Sequence, residues 1–281
     1  MDRRTFVASS VGAAVPLAWP GLAPLPFRPA DKLDKIGLQL YTVRSAMAES
    51  VERTLHDVAQ VGYREVEFAG YFDRPARATR QLLDRNGLKS PSAHTDLATM
   101  KTGWYRTLND ASELGQKWLV VAWLGESDRN SVDALKRTAA TMNRAAEDAK
   151  TFKIRVAYHN HDFEFAEVEG RRPFDVLLEE TDPKLIDFEM DLYWITKAGG
   201  DPFAYFAKWP GRFPLVHVKD AGPAPEYQMR DVGKGSIDFA KLFAAREQAG
   251  MKHFFVEHDN PVDPMASIRT SYRYLDALRF G

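Results

Sequence analysis

Between residues 35 and 279 the chain alternates eight times between a short apolar run and a stretch with apolar residues at every third or fourth position. The runs are IGLQLY (36–41), REVEFAG (64–70), LKSPSAH (88–94), KWLVVAW (117–123), IRVAYH (154–159), KLIDFEMD (184–191), RFPLVHVKD (212–220) and KHFFVEHD (252–259). The intervening stretches are 50–62, 76–87, 104–115, 131–152, 173–181, 201–209, 238–250 and 263–279, and glycine closes stretches such as 50–62 and 104–115, as it closes helices. Nearly continuous apolarity in a run marks a strand covered on both faces, the condition of a parallel sheet. Eight strand–helix units in about 245 residues predict a single α/β domain, a (β/α)8 barrel. The alternative is a doubly wound open sheet, which usually carries a glycine-rich phosphate loop after its first strand; QLYTVRSAM (39–47) has no glycine.

The first 30 residues stand outside this alternation. MDRRTFVASSVGAAVPLAWPGLAPLP places Arg3 and Arg4 before a short Ala-rich run broken by Pro16 and Pro20. A positive start and a short apolar run predict an export signal, and RRTF resembles a twin-arginine signal. The expectation is residues 1–30 as signal and linker, residues 31–281 as the barrel, delivery by the twin-arginine machinery and a periplasmic protein. The apolar run is too short for stable membrane insertion. A formal net charge of −1 with Lys and Arg scattered along the chain argues against a nucleic-acid partner. The absence of cysteine excludes thiol catalysis and disulfides.

In a parallel barrel the site forms at the C-terminal strand ends. Those ends carry Gln39, Tyr41, Glu67, His94, Trp123, His159, His161, Asp191, His217, Lys219 and Glu257. Side chains alternate along a strand, so Ala157 and His159 share one face of RVAYH, and Val156 and Tyr158 share the other. The same parity groups Leu215, His217 and Lys219, and Phe255 with Glu257. His159, Asp191, His217 and Glu257 then come from four neighbouring strand ends. Two imidazoles and two carboxylates converging this way suit one divalent metal ion: Mn, Zn, Co or Mg.

At these residues the sequence resembles the xylose isomerase-like TIM-barrel superfamily of sugar isomerases, epimerases and inosose-type enzymes, in its branch with a YHNH-type fifth strand. IGLQLYTVR (36–44), His159-Asn160-His161, MDLYW (190–194), LVHVKD (215–220), DVGKGSIDF (231–239) and VEH (256–258) carry the likeness, which spans 35–279. The resemblance implies metal-dependent removal of a proton beside a sugar carbonyl. It makes Glu257 both metal ligand and candidate base, with His161, Glu164 and Lys219 as further proton-transfer candidates. Gln39, Tyr41, Glu67 and His94 would bind the small sugar or keto-sugar, and Trp123 and Trp194 would stack on it. One departure stands out. The epimerases carry a glutamate, one of two proton-exchanging carboxylates, where this chain has His159, unless Glu164 folds back to replace it. Isomerisation or epimerisation is therefore the leading expectation. Elimination across a keto-sugar or glycoside by a lyase or hydratase is the alternative, and a non-catalytic sugar- or metal-binding protein is a third.

Overall fold

The computed structural model describes residues 30–281. The expected export segment therefore lies outside the described residues, apart from Ala30. Eight strands close into one barrel: β1 Gly37–Gln39, β2 Glu65–Phe68, β3 Lys89–Thr95, β4 Trp118–Val121, β5 Arg155–His159, β6 Ile186–Asp191, β7 Leu215–Val218 and β8 His253–Val256. Every neighbouring pair is parallel, and β8 pairs with β1 to complete the ring. The principal helices after successive strands are α1 Val51–Val61, α2 Ala76–Arg85, α3 Trp104–Leu114, α4 Val132–Lys150, α5 Pro173–Glu180, α6 Pro202–Lys208, α7 Phe239–Ala244 and α8 Pro264–Ala277. No helix among the described residues is long and apolar enough to cross a membrane.

Local chemistry sets the element ends. The Ser50 and Ser131 hydroxyls accept the first free N–H groups of α1 and α4, and proline begins α5, α6 and α8, where no hydrogen bond is lost. Two elements differ from expectation. The first apolar run is a strand only to Gln39, whose side chain accepts the Tyr41 N–H and turns the chain into a 3-10 segment, Leu40–Val43. The helix expected over 238–250 breaks at Ala245 into Phe239–Ala244 and Arg246–Ala249. At the other end of the barrel domain, Asp31 exchanges two backbone hydrogen bonds with Phe280, tying the first described residues to the last.

The expected strand parity holds. Val156 and Tyr158 pack in the large core beneath the helices, whereas Trp118, Val120, Ala157, Leu215 and Phe255 form a separate cluster inside the barrel. Gly37 is part of this fit: a Cβ there would lie 2.5 Å from the Phe255 ring and 3.0 Å from the Phe254 carbonyl. Above this apolar plug the strands present Gln39, Glu67, His94, His159, Glu189, Asp191 and His217, all but His94 buried.

The loop after β7 is organised by one buried carboxylate. Asp220 accepts the backbone N–H groups of Ala221, Gly233, Gly235 and Ile237 at 2.9–3.2 Å. A Cβ at Gly235 would sit 2.2 Å from Asp220 Oδ1, so only glycine lets the backbone close on it. Charge-assisted bonds of this kind are each worth about 1.5–3 kcal/mol, so Asp220→Ala is expected to cost at least about 3 kcal/mol of stability. Denaturant unfolding of the two proteins side by side checks this.

Candidate active site

Strand β6 explains how the barrel interior is layered. Asp187, Glu189 and Asp191 alternate with Phe188 and Met190, so three carboxylates point inward at three heights. At the lowest, Asp187 accepts from Trp118 Nε1 at 2.7 Å and pairs with Arg155. In the middle, Glu189 Oε2 lies 3.1 Å from each of three ring nitrogens: His94 Nε2, His159 Nδ1 and His217 Nε2. Glu67 Oε2 joins this layer, 2.7 Å from His217 Nε2, 3.1 Å from His94 Nε2 and 2.8 Å from the Gln39 amide. At the top, Asp191 meets Lys219 and Glu257.

Each imidazole of the middle layer also faces the mouth. An ionised carboxylate only accepts, so Glu189 directs a proton to His159 Nδ1 and leaves the Nε2 lone pair free, 3.6 Å from Asp191 Oδ2. In the same way Glu67 and Glu189 hold His217 by Nε2. Its Nδ1 then faces Glu257 Oε2 at 2.6 Å and Asp191 Oδ2 at 4.0 Å. The mouth therefore gathers two ring nitrogens and two carboxylate oxygens, backed by carboxylates that orient the rings. Ligating histidines are supported in this way in metal sites. Ligand atoms of Asp191, His217 and Glu257 lie within 4.8 Å of one another, as do those of His94, His159, Glu189 and His217. The two groups meet at His217, which lends one nitrogen to each, and His159 Nε2 approaches the upper group at Asp191.

Charge agrees with the geometry. Burial works against ionisation of His94, but Glu67 and Glu189 raise it to about 9, so its imidazolium offsets one of the two carboxylate charges of the deep layer. Burial, then the positive charge that His217 carries, hold His159 neutral, the state a ligand needs. Burial raises Asp191 to about 6 against the pull of Lys219. Lys219 Nζ is 3.0 Å from Asp191, 2.8 Å from Glu257 and 2.9 Å from Asp259. Burial opposes the His217 charge but Glu189 and Glu257 maintain it, so this ring would serve as a ligand only after losing its Nδ1 proton; three carboxylates facing one ammonium would then leave two negative charges uncompensated. Asp191 Oδ1 takes the N–H groups of Tyr193 and Trp194, but its buried Oδ2 receives no well-directed hydrogen bond, despite the nearby ammonium. A free lone pair among two imidazole nitrogens and a second carboxylate, with two charges to balance, fits a divalent ion.

Several expected site residues have other positions. Gln39 and Glu67 are fully buried in the deep layer, where they pair with each other and with His94 and His217, and they are not among the residues lining the mouth cavity. Glu164, expected on an open loop or folded back as a substitute carboxylate, is fully buried. It accepts the Tyr158 hydroxyl and the His161 N–H, the latter at 2.8 Å, and burial raises it to about 7. It holds the His161 backbone from below and is not among the residues lining the cavity. Lys219 keeps its proton too firmly to shuttle it: burial opposes the charge, but Asp191, Glu257 and Asp259 raise it well above the usual lysine range. Tyr41, His94, Trp123, His161, Trp194 and Glu257 do line a common cavity of about 380 Å³ at the barrel mouth. Sequence reasoning missed Glu189, whose signal was its parity with Asp191, and Asp259 and Asn260, which lie just past β8 on the cavity wall.

A model of the xylose isomerase-like TIM barrel family matches residues 55–278. The chain belongs to that family. It is 24% identical over 241 residues to the inosose dehydratase of Geobacillus thermodenitrificans (strain NG80-2), covering 73% of this chain and 80% of the relative. A solved sugar phosphate isomerase/epimerase from Parabacteroides distasonis ATCC 8503 superposes with a TM-score of 0.77 at 26% identity, covering 87% of this chain and 98% of that one. The solved IolI protein, which carries a zinc atom, superposes with a TM-score of 0.69 at 14% identity, covering 85% and 95%.

The carboxylates beneath the histidines give a direct test. Glu189→Gln keeps the shape but loosens both rings, so affinity for Mn²⁺ or Zn²⁺ is expected to fall about 10–100-fold with the fold retained. Titration calorimetry on chelator-stripped protein, with circular dichroism as the fold control, measures it.

Proposed function

We propose that the protein is an enzyme that removes the proton beside the carbonyl of a keto-sugar and expels a leaving group from the neighbouring carbon. His159, Asp191, His217 and Glu257 would hold one divalent ion. That ion, when bound, supplies Lewis acidity toward the substrate carbonyl.

The observation that carries this reading is the placement of His161, a ring on the cavity wall that pairs with no carboxylate. Burial and the Lys219 charge pull His161 down to about 3, so its ring is neutral, and its Nδ1 is buried without a partner. Glu164 fixes the His161 backbone, and Trp123, Phe163 and Trp194 hold the ring at centroid distances of 4.8–5.6 Å. Glu257 is engaged by Lys219 at 2.8 Å and His217 at 2.6 Å, whereas the His161 Nδ1 is held by no other group. One imidazole can take the proton from carbon and hand it to the departing oxygen on the same face. The C–H electron pair becomes the new C=C bond, the C–O pair leaves with the oxygen, and His161 returns to its neutral form. Epimerisation needs proton transfer on both faces, and the carboxylate that serves the second face in the epimerases is His159 here, with one nitrogen committed to Glu189. The likeness to an inosose dehydratase supports elimination. A second reading, isomerisation, draws on the likeness to a sugar phosphate isomerase/epimerase and begins with the same proton removal.

Incubating the metal-loaded protein with keto-sugars in heavy water separates these outcomes by NMR. An unsaturated product supports elimination, and deuterium returned to carbon in an isomer supports the second reading. The absence of both overturns enzymatic proton abstraction. His161→Ala is expected to retain the metal and lower turnover by about 10²-fold or more, the size of a lost general acid–base group.

We also propose that residues 1–30 direct export to the periplasm through the twin-arginine route, on the strength of Arg3-Arg4 ahead of the short apolar run. Changing both arginines to lysine is expected to leave the protein in the cytoplasm. Unchanged fractionation rejects that route.

A further inference from the structure

The positions that would recognise a phosphate group on a sugar are already filled by the protein's own carboxylates. In barrels of this kind a phosphate sits near the loops after strands seven and eight, on backbone N–H groups and a helix N-terminus. The glycine-containing loop after β7 offers such N–H groups at Gly233, Gly235 and Ile237, and all three donate to Asp220. The N-terminus of α8, after β8, is capped by Asp263, which accepts the Ala266 N–H at 2.9 Å.

The cations are committed as well. Lys219 is the one Lys or Arg among the described residues that lines the cavity. Its ammonium has three N–H donors and faces three carboxylates at 2.8–3.0 Å. Arg44, at the rim, donates to the carbonyls of Tyr41 and Asp259 and to Asn260 Oδ1, at 2.7–3.0 Å, while its guanidinium packs over the Tyr41 ring. Lys197 is paired with Asp162 and packs over Trp194. A phosphate dianion entering the cavity would meet Glu257 and Asp259, with Lys219 held by three carboxylates and Arg44 tied to two carbonyls and the Asn260 amide at the rim.

What the cavity does offer suits an uncharged ring. Trp123 is 54% exposed at the mouth, and its indole, the His161 ring and Trp194 form a continuous aromatic wall, at 4.8 and 5.5 Å between centroids. Trp194 Nε1 is a buried donor without a partner, as the His161 Nδ1 is a buried nitrogen without one. Carboxylate and amide oxygens of Asp259 and Asn260 stand on the opposite wall as acceptors for hydroxyl groups. Apolar faces with a few fixed polar groups are the usual means of holding a small polar ligand.

We infer that this site selects an unphosphorylated sugar or polyol ketone, seated on Trp123 and Trp194, and rejects the corresponding sugar phosphates. This deepens the reading of the site as a keto-sugar enzyme and rests on it for the ligand class. The test is equilibrium binding, so it does not depend on turnover. Metal-loaded protein is titrated with D-fructose, an inosose and a 3-keto-glucoside, and with fructose 6-phosphate and the phosphate of each other compound, following tryptophan fluorescence and saturation-transfer NMR. At least one uncharged ligand is expected to bind about tenfold or more tightly than its phosphate, because like-charge contacts in a closed site cost several kcal/mol. Trp123→Ala and Trp194→Ala are each expected to weaken that binding about tenfold, the loss of a contact worth about 1.4 kcal/mol. Asp259→Asn removes one carboxylate and releases one Lys219 donor. It is expected to narrow the gap between sugar and phosphate about tenfold, which a merely structural role of Asp259 would not do. Equal or tighter binding of the phosphates overturns the inference, as does binding of neither set, or tryptophan variants of unchanged affinity. If an uncharged ketone binds as described but shows neither deuterium exchange nor elimination, the catalytic reading fails and the selectivity stands.

Discussion

Glu189 is a buried carboxylate with three imidazole nitrogens at 3.1 Å, and the site is arranged around it. An unpaired charge at that depth would cost several kcal/mol, so it persists only with compensating partners. His94 supplies the compensating positive charge. His159 and His217 are oriented by the same oxygen, each with one nitrogen turned down and the other turned up toward the mouth. Without Glu189, His159 would lose the acceptor that sets its rotation and tautomer, and His217 would be held from below by Glu67 alone. The deep layer therefore works as a foundation for the upper one. It also explains why Gln39 and Glu67, which end strands β1 and β2, face histidines and not solvent.

The upper layer is defined by its excess of negative charge. Asp191, Glu257 and Asp259 surround Lys219, whose ammonium brings the carboxylates together but balances only one of them. The same arrangement makes the layer receptive to a divalent cation and hostile to an anionic substrate. One cavity side chain stands outside this charge network. His161 lies just past β5, neutral among aromatic rings, and is steadied from below by Glu164 and Tyr158. His159 and His161, two residues apart at one strand end, are thus placed differently: one in the carboxylate network, the other among aromatic rings.

The β/α alternation was legible because burial on both faces of a parallel strand demands apolar runs, and helices leave a three-to-four spacing. The interior parity was legible for the same reason, and Ala157 with His159, Leu215 with His217, and Phe255 with Glu257 all fall as the two-residue period requires. Element ends were less clear. Gln39 ends β1 by capping its own turn, and the break at Ala245 has no proline or glycine to announce it. Glu189 could have been placed inward by its parity with Asp191. Its role could not be read, because that depends on His94, 95 positions earlier, turning toward the same oxygen.

By itself, then, the sequence determined the barrel, the strand ends that form its mouth and the residue types available there, since each follows from periodicity and from the closure of eight parallel strands. Only the tertiary structure decided which polar side chains touch a substrate and which support others. Glu164 turns beneath His161 instead of toward the cavity, Lys219 is held by three carboxylates from β6 and the loop after β8, and Asp220 takes the N–H groups of a loop that would otherwise bind an anion. The physical reason is that hydrogen-bond pairing and charge compensation in a buried site are set by distances across the barrel, between residues tens to hundreds of positions apart, and local periodicity carries no information about those distances.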